Sequence, residues 1–134
     1  MGRSSPAVVG LLFRETLTLA TPTAYSQIFI LAAGGSGGNN LTTGTINYAG
    51  GTTQPFVYTC WDWCNNANHV EAALPNLGRG RRGDDGLAFG YLHECYFGLY
   101  ETQLPTDNTK KIVSIDFDPD PSIGKINIMA ISGQ

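Results

Sequence analysis

The chain has 134 residues, a formal net charge of −3, and only 14% charged residues beside 42% hydrophobic ones. That length suits one domain, residues 1–134, with a core of its own. The small charge and the 10% aromatic content argue against disorder, and the negative balance argues against a general affinity for nucleic acid.

No apolar run approaches the ~18 residues that a membrane-spanning helix needs, so no membrane partner is expected. The opening Met1–Pro6 carries no signal-peptide pattern. The chain therefore either stays inside the cell or begins downstream of a signal or an upstream domain. The abundance of Gly, Thr, Ser and Asn at low charge suits an extracellular β protein, and a secreted or cell-surface location is the expectation.

Residues 7–13 read as a mostly apolar strand. Thr16-Leu17-Thr18-Leu19-Ala20 alternates with period two until Thr21-Pro22-Thr23 breaks it. Residues 25–33 place Ile28 and Ile30 on one face and Phe29 and Leu31 on the other. Two apolar faces predict a central strand covered on both sides. A Gly-rich turn follows from Gly34 to Asn40. It lacks the helix and the Lys-Ser/Thr of a phosphate loop.

Residues 45–49, Gly50-Gly51 and residues 54–60 predict a β-hairpin. Phe56, Tyr58 and Cys60 share one face of its second arm, and Val57, Thr59 and Trp61 the other. The arm runs into Trp61-Asp62-Trp63. Residues 65–86 then show no periodicity, and a loop of that length inside a domain is usually functional or disordered. Its basic cluster, Arg79, Arg81 and Arg82, is offset by Asp84 and Asp85.

Residues 87–104 predict two strands or one bent strand, with Gly90 and Gly98 as kinks. Residues 111–118 alternate, with Val113, Ile115 and Phe117 inward and Ser114, Asp116 and Asp118 outward. Asp118-Pro119-Asp120-Pro121 is a turn, and residues 124–132 form the last strand. About eight short strands and no amphipathic helix predict an all-β, antiparallel β-sandwich of jelly-roll type.

Several of these stretches resemble β-sandwich, carbohydrate-binding-like modules of secreted bacterial proteins and glycoside hydrolases. Thr16-Leu17-Thr18-Leu19-Ala20-Thr21-Pro22-Thr23-Ala24-Tyr25-Ser26 is similar to an early segment of those modules. Thr45 to Gln54 resembles their Tyr-x-Asp-Gly-Thr-Thr-Gln hairpin, with Gly50 in place of the Asp. Asp62-Trp63 matches their Asp-Trp element, and residues 111–117 and 125–132 match their closing strands. The resemblance spans roughly Leu17 to Ser132 and brings no catalytic residue. Cys60, Cys64 and Cys95 are not part of its pattern.

Trp61, Trp63, Tyr91, Tyr96 and Tyr100 are candidates for stacking on the apolar C–H faces of sugars. Asp62, Asn65, Asn66, Asn68, His69, Glu71 and Arg79 are polar partners for the hydroxyls. Trp61 and Trp63 share a face if their strand continues; the alternative is that both are core residues.

Cys60, Cys64, His93 and Cys95 could converge as zinc ligands. The competing readings are a Cys60–Cys64 or Cys60–Cys95 disulfide with one cysteine left over, or three reduced thiols. Asp116, Asp118 and Asp120 invite calcium, although Pro119 and Pro121 interrupt them. No spacing selects an acid–base pair from Asp62, Glu71, Asp84, Asp85, Glu94 and Glu101.

The leading expectation is a non-catalytic module that binds a polysaccharide or other glycan. One alternative is a structural subunit that self-associates into a surface layer or filament. The other is a small metal-dependent, polysaccharide-active enzyme using His69 and His93.

Overall fold

The computed structural model describes residues 9–11, 14–35, 39–63, 72–77, 80–82, 88–91, 97–120 and 125–134. The described residues form eleven strands and no helix. These are β1 (Val9–Leu11), β2 (Glu15–Thr23), β3 (Gln27–Gly35), β4 (Asn39–Tyr48), β5 (Thr53–Trp61) and β6 (Leu74–Leu77). There follow β7 (Gly80–Arg82), β8 (Ala88–Tyr91), β9 (Phe97–Pro105), β10 (Ile112–Pro119) and β11 (Lys125–Gly133).

One sheet has five strands in the order β1-β11-β3-β9-β6, and the other has four in the order β2-β10-β4-β5. β7 and β8 form a separate two-stranded ribbon. The pairings within these sheets are antiparallel. The two large sheets meet through one apolar core. Ile28, Ile30, Ala32, Tyr100, Leu104, Ile126 and Ile128 come from the five-stranded sheet; Ile46, Tyr48, Phe56, Tyr58, Cys60, Ile112, Ile115 and Phe117 come from the four-stranded one. Each large apolar side chain removed from water stabilises the sandwich by about 1.5–3 kcal/mol. The protein is an all-β sandwich, as the alternation predicts.

The hairpin lies where the Gly-Gly pair places it. Gly51 N–H donates to Tyr48 O at 3.1 Å, closing a four-residue turn. Gly50 and Gly51 have φ of 91° and 87°, a region that residues with a Cβ rarely enter. In the second arm Phe56, Tyr58 and Cys60 are buried, and Val57 is 64% exposed. The odd–even reading of this strand therefore holds.

Four expectations are corrected. β3 is central, hydrogen-bonded between β11 and β9, but its outer face is not fully covered: Phe29 and Leu31 are half-buried. On β10 the register shifts between Ile112 and Ser114, so Ile112 enters the core and Val113 stays half-buried. An extra residue in one strand resets the period-two phase. β2 does not stop at Thr21-Pro22-Thr23. Its pairing with β10 instead jumps from Thr18 to Thr23, leaving the intervening residues outside the ladder.

The stretch after Trp63 contains two strands, β6 and β7, so it is not one irregular loop. β6 is short and carries no clear alternation; its pairing with β9 is what makes it a strand. Residues 87–104 divide into β8 and β9, as expected. Gly98 lies within β9, where an added Cβ would stand 3.1 Å from that of Ala72. Close packing of a neighbouring segment is the reason for this glycine.

Candidate functional site

β5 ends at Trp61, and the chain then leaves the four-stranded sheet. Asp62 forms an isolated parallel bridge with Gly34, near the end of β3 in the five-stranded sheet. Trp63 N–H donates to Gly34 O at 2.8 Å, and Gly98 N–H donates to Trp63 O at 3.0 Å. The Trp61-Asp62-Trp63 segment thus crosses from one sheet to the other at one end of the sandwich. Its main chain is bonded to both β3 and β9. The strand does not continue through Trp63, so simple alternation no longer places the two indoles on one face.

All three residues are half-buried. Trp61 packs against the core. The Trp63 indole lies over Gly35, with Cδ1 and Nε1 each 3.9 Å from where a Cβ would stand. Each tryptophan is therefore partly packed and partly exposed. Backbone bonds at both ends of Trp63 limit the entropy lost when a ligand docks, which is the usual route to a preorganised contact.

Asn65, Asn66, Arg79, Cys64, His93 and Cys95 lie outside the described residues, as do Asn68, His69, Glu71, Tyr96 and Glu94. Tyr91 closes β8, where its backbone pairs with Gly80. Tyr100 is corrected from candidate surface ring to core residue: it is 5% exposed and faces the opposite sheet.

Cys60 is a free thiol at 0% exposure, and its Sγ donates to Trp61 O at 3.5 Å. Neither proposed Cys60 disulfide is present in this structure. Its side chain belongs to the inward face of β5, inside the core cluster. Burial pushes the thiol up to about 11, against smaller opposing effects of the Tyr58 hydroxyl and the Gly34 main chain. A thiol that stays protonated is a poor nucleophile and a poor metal ligand. Among the described residues no group of three or more His, Cys, Asp or Glu gathers in metal-binding geometry.

No family model matches this chain, and no curated protein matches it.

The calcium reading of the acidic run is corrected. Asp116 accepts from Thr16 Oγ1 at 2.6 Å, from Asn47 Nδ2 at 2.9 Å and from Arg14 Nη2 at 3.3 Å. Arg14 Nε also lies 3.3 Å from Asp118 Oδ1. The Arg14 guanidinium supplies the positive charge that a metal would have brought. The hydroxyl of Thr16, then Asn47 and Arg14, hold the Asp116 carboxyl below its usual range. Although on the outward parity of β10, Asp116 is only 9% exposed, because partners from β2 and β4 close over it.

A second network was not anticipated. Tyr48 Oη donates to Gln54 Oε1 at 2.6 Å and accepts from Asp107 N–H at 3.1 Å. Gln54 Nε2 donates to Pro105 O at 2.8 Å. These bonds tie the β4–β5 turn to the connection between β9 and β10. Tyr48 and Gln54 both lie within the Thr45–Gln54 stretch that carries the resemblance, and here they bond to each other.

Proposed function

We propose that this chain is a non-catalytic carbohydrate-binding module whose contact surface includes Trp63, Asp62 and the open part of Trp61. The observation that carries the reading is the crossover itself. Two half-buried tryptophans flank a half-buried aspartate, on a main chain bonded to both β3 and β9. Indole faces stack on the apolar side of a sugar ring, while a carboxylate accepts from its hydroxyls. Neither step needs a metal or a nucleophile.

The ligand class is a polysaccharide, and an extracellular setting is part of the same reading. Asn65, Asn66, Arg79 and Tyr91 remain its proposed polar and aromatic neighbours. The jelly-roll form of the sandwich also belongs to the proposal. Its support is the strand order: β1 to β4 alternate between the sheets, β10 lies between β2 and β4, and β11 between β1 and β3.

The test is retention on a panel of soluble and insoluble polysaccharides, with product analysis, for the wild type and Trp63→Ala. Saturable binding without product is expected. The variant should bind about tenfold more weakly or worse, a loss of ~1.4 kcal/mol, with far-UV circular dichroism unchanged. Equal binding by a folded Trp63→Ala protein would rule out the stacking role.

A further inference from the structure

β5 is an edge strand. Among the described residues, β4 pairs with one side of it and no strand pairs with the other. The hairpin fixes which backbone groups face that open side. Tyr48 N–H donates to Thr52 O at 2.9 Å, in line with the register that pairs Asn47 with Thr53. Hydrogen-bonded and non-hydrogen-bonded pairs alternate along an antiparallel ladder. Gln54, Phe56, Tyr58 and Cys60 therefore bond to β4, whereas Val57 and Thr59 turn their N–H and C=O groups away from it. Pro55 has the same outward phase, where its missing N–H costs no ladder bond.

Edges of this kind are usually guarded by charge, proline or a bulge. From Thr53 to Trp61 there is no charged residue, and Pro55 guards only the turn-proximal part. Beyond it stands Val57, at 64% exposure a large apolar side chain left in water.

We propose that β5 pairs antiparallel with β5 of a second copy of this chain, about a two-fold axis through Thr59. Three features select this occupant and register. An axis at Thr59 places Val57 opposite Trp61 of the second copy, so an exposed apolar side chain meets a half-buried tryptophan on both sides of the axis. It leaves Pro55 outside the ladder, opposite a position beyond the end of the partner's strand. It also brings no like charges together, which a net-negative chain would otherwise have to overcome. An axis at Val57 would instead set Pro55 opposite Thr59 and lose a hydrogen bond on each side. The two four-stranded sheets become one continuous sheet through a short ladder, an interface of the small, transient class. The pairing takes up the Trp61 side chain that the carbohydrate reading also uses, but its test requires no sugar.

Sedimentation equilibrium over a concentration series tests it, together with cross-linking. The wild type should show a reversible monomer–dimer equilibrium. Val57→Lys, a change at an exposed position, should stay folded and be monomeric throughout. Thr59→Cys should form a disulfide-linked dimer on mild oxidation, mapped by mass spectrometry to that position, whereas Thr53→Cys should not. A wild type that is monomeric at every concentration would overturn the proposal. So would a dimer that survives Val57→Lys, or Thr53→Cys cross-linking as readily as Thr59→Cys.

Discussion

Gly44→Ala tests the centre of the four-stranded sheet, where one methyl group has no room. Gly44 lies in β4, opposite Phe117 of β10 on one side and Phe56 of β5 on the other. The two rings meet edge to face over it, with centroids 5.7 Å apart and planes at 75°. A Cβ added at Gly44 would stand 2.3 Å from the Asp116 carbonyl oxygen and 2.4 Å from Phe56 Cζ. The carbonyl belongs to a paired strand and cannot swing aside as a flexible side chain could.

Overpacking a well-filled core costs about 1–3 kcal/mol. A backbone clash in two directions puts this site at the upper end. The φ of Gly44 is not in the left-handed region, so alanine recovers about 0.4–1 kcal/mol by restricting the unfolded chain. The net expectation is a loss of ~2–3 kcal/mol. At roughly 4 °C per kcal/mol for a chain of this size, Tm should fall by about 10 °C. Urea unfolding gives the free energy directly. Adding Phe56→Leu should relieve the ring clash but leave the carbonyl clash, so it should not restore wild-type stability. A Gly44→Ala protein within ~0.5 kcal/mol of wild type would refute this packing.

Two further outcomes concern ionisable groups. Because the folded Asp116 carboxyl titrates below its usual range, its contribution is fully present above about pH 4. It is lost as pH falls through the folded value. Asp116→Asn should therefore cost about 1–3 kcal/mol at neutral pH, and the gap from wild type in urea midpoint should close on acidification. A pH-independent gap would show that the charge is not what the network holds. Cys60, its thiol raised to about 11 by burial, should resist alkylation at neutral pH until the protein unfolds. Mass-mapped labelling of Cys60 in native protein at the unfolded rate would contradict its place in the core.

The resemblance led to two kinds of residue, which the structure separates. Tyr48 and Gln54 bond to each other and to the loop after β9, so their motif marks a structural tie. Trp63, in the Asp-Trp element, and Trp61 just before that element lie on the crossover between sheets, and both residues are half-buried. Single-strand pattern cannot make that distinction. It reports which residues alternate, and both kinds sit beside regular strands.

Local chemistry determined the class of the protein. Period-two alternation in β5 set Phe56, Tyr58 and Cys60 against Val57, and glycine best suits the positive φ of the turn at Gly50 and Gly51. Neither depends on what the strand later meets. Tertiary structure decided the rest because pairing is non-local. The shifted register of β10 moved Ile112 into the core in place of Val113, and a strand from far along the chain gave Leu74–Leu77 its conformation. Partners from β2 and β4 turned an apparently solvated Asp116 into a nearly buried carboxylate. Where Trp63 stands was fixed by hydrogen bonds to Gly34 and Gly98, residues that adjoin it only after both sheets have formed.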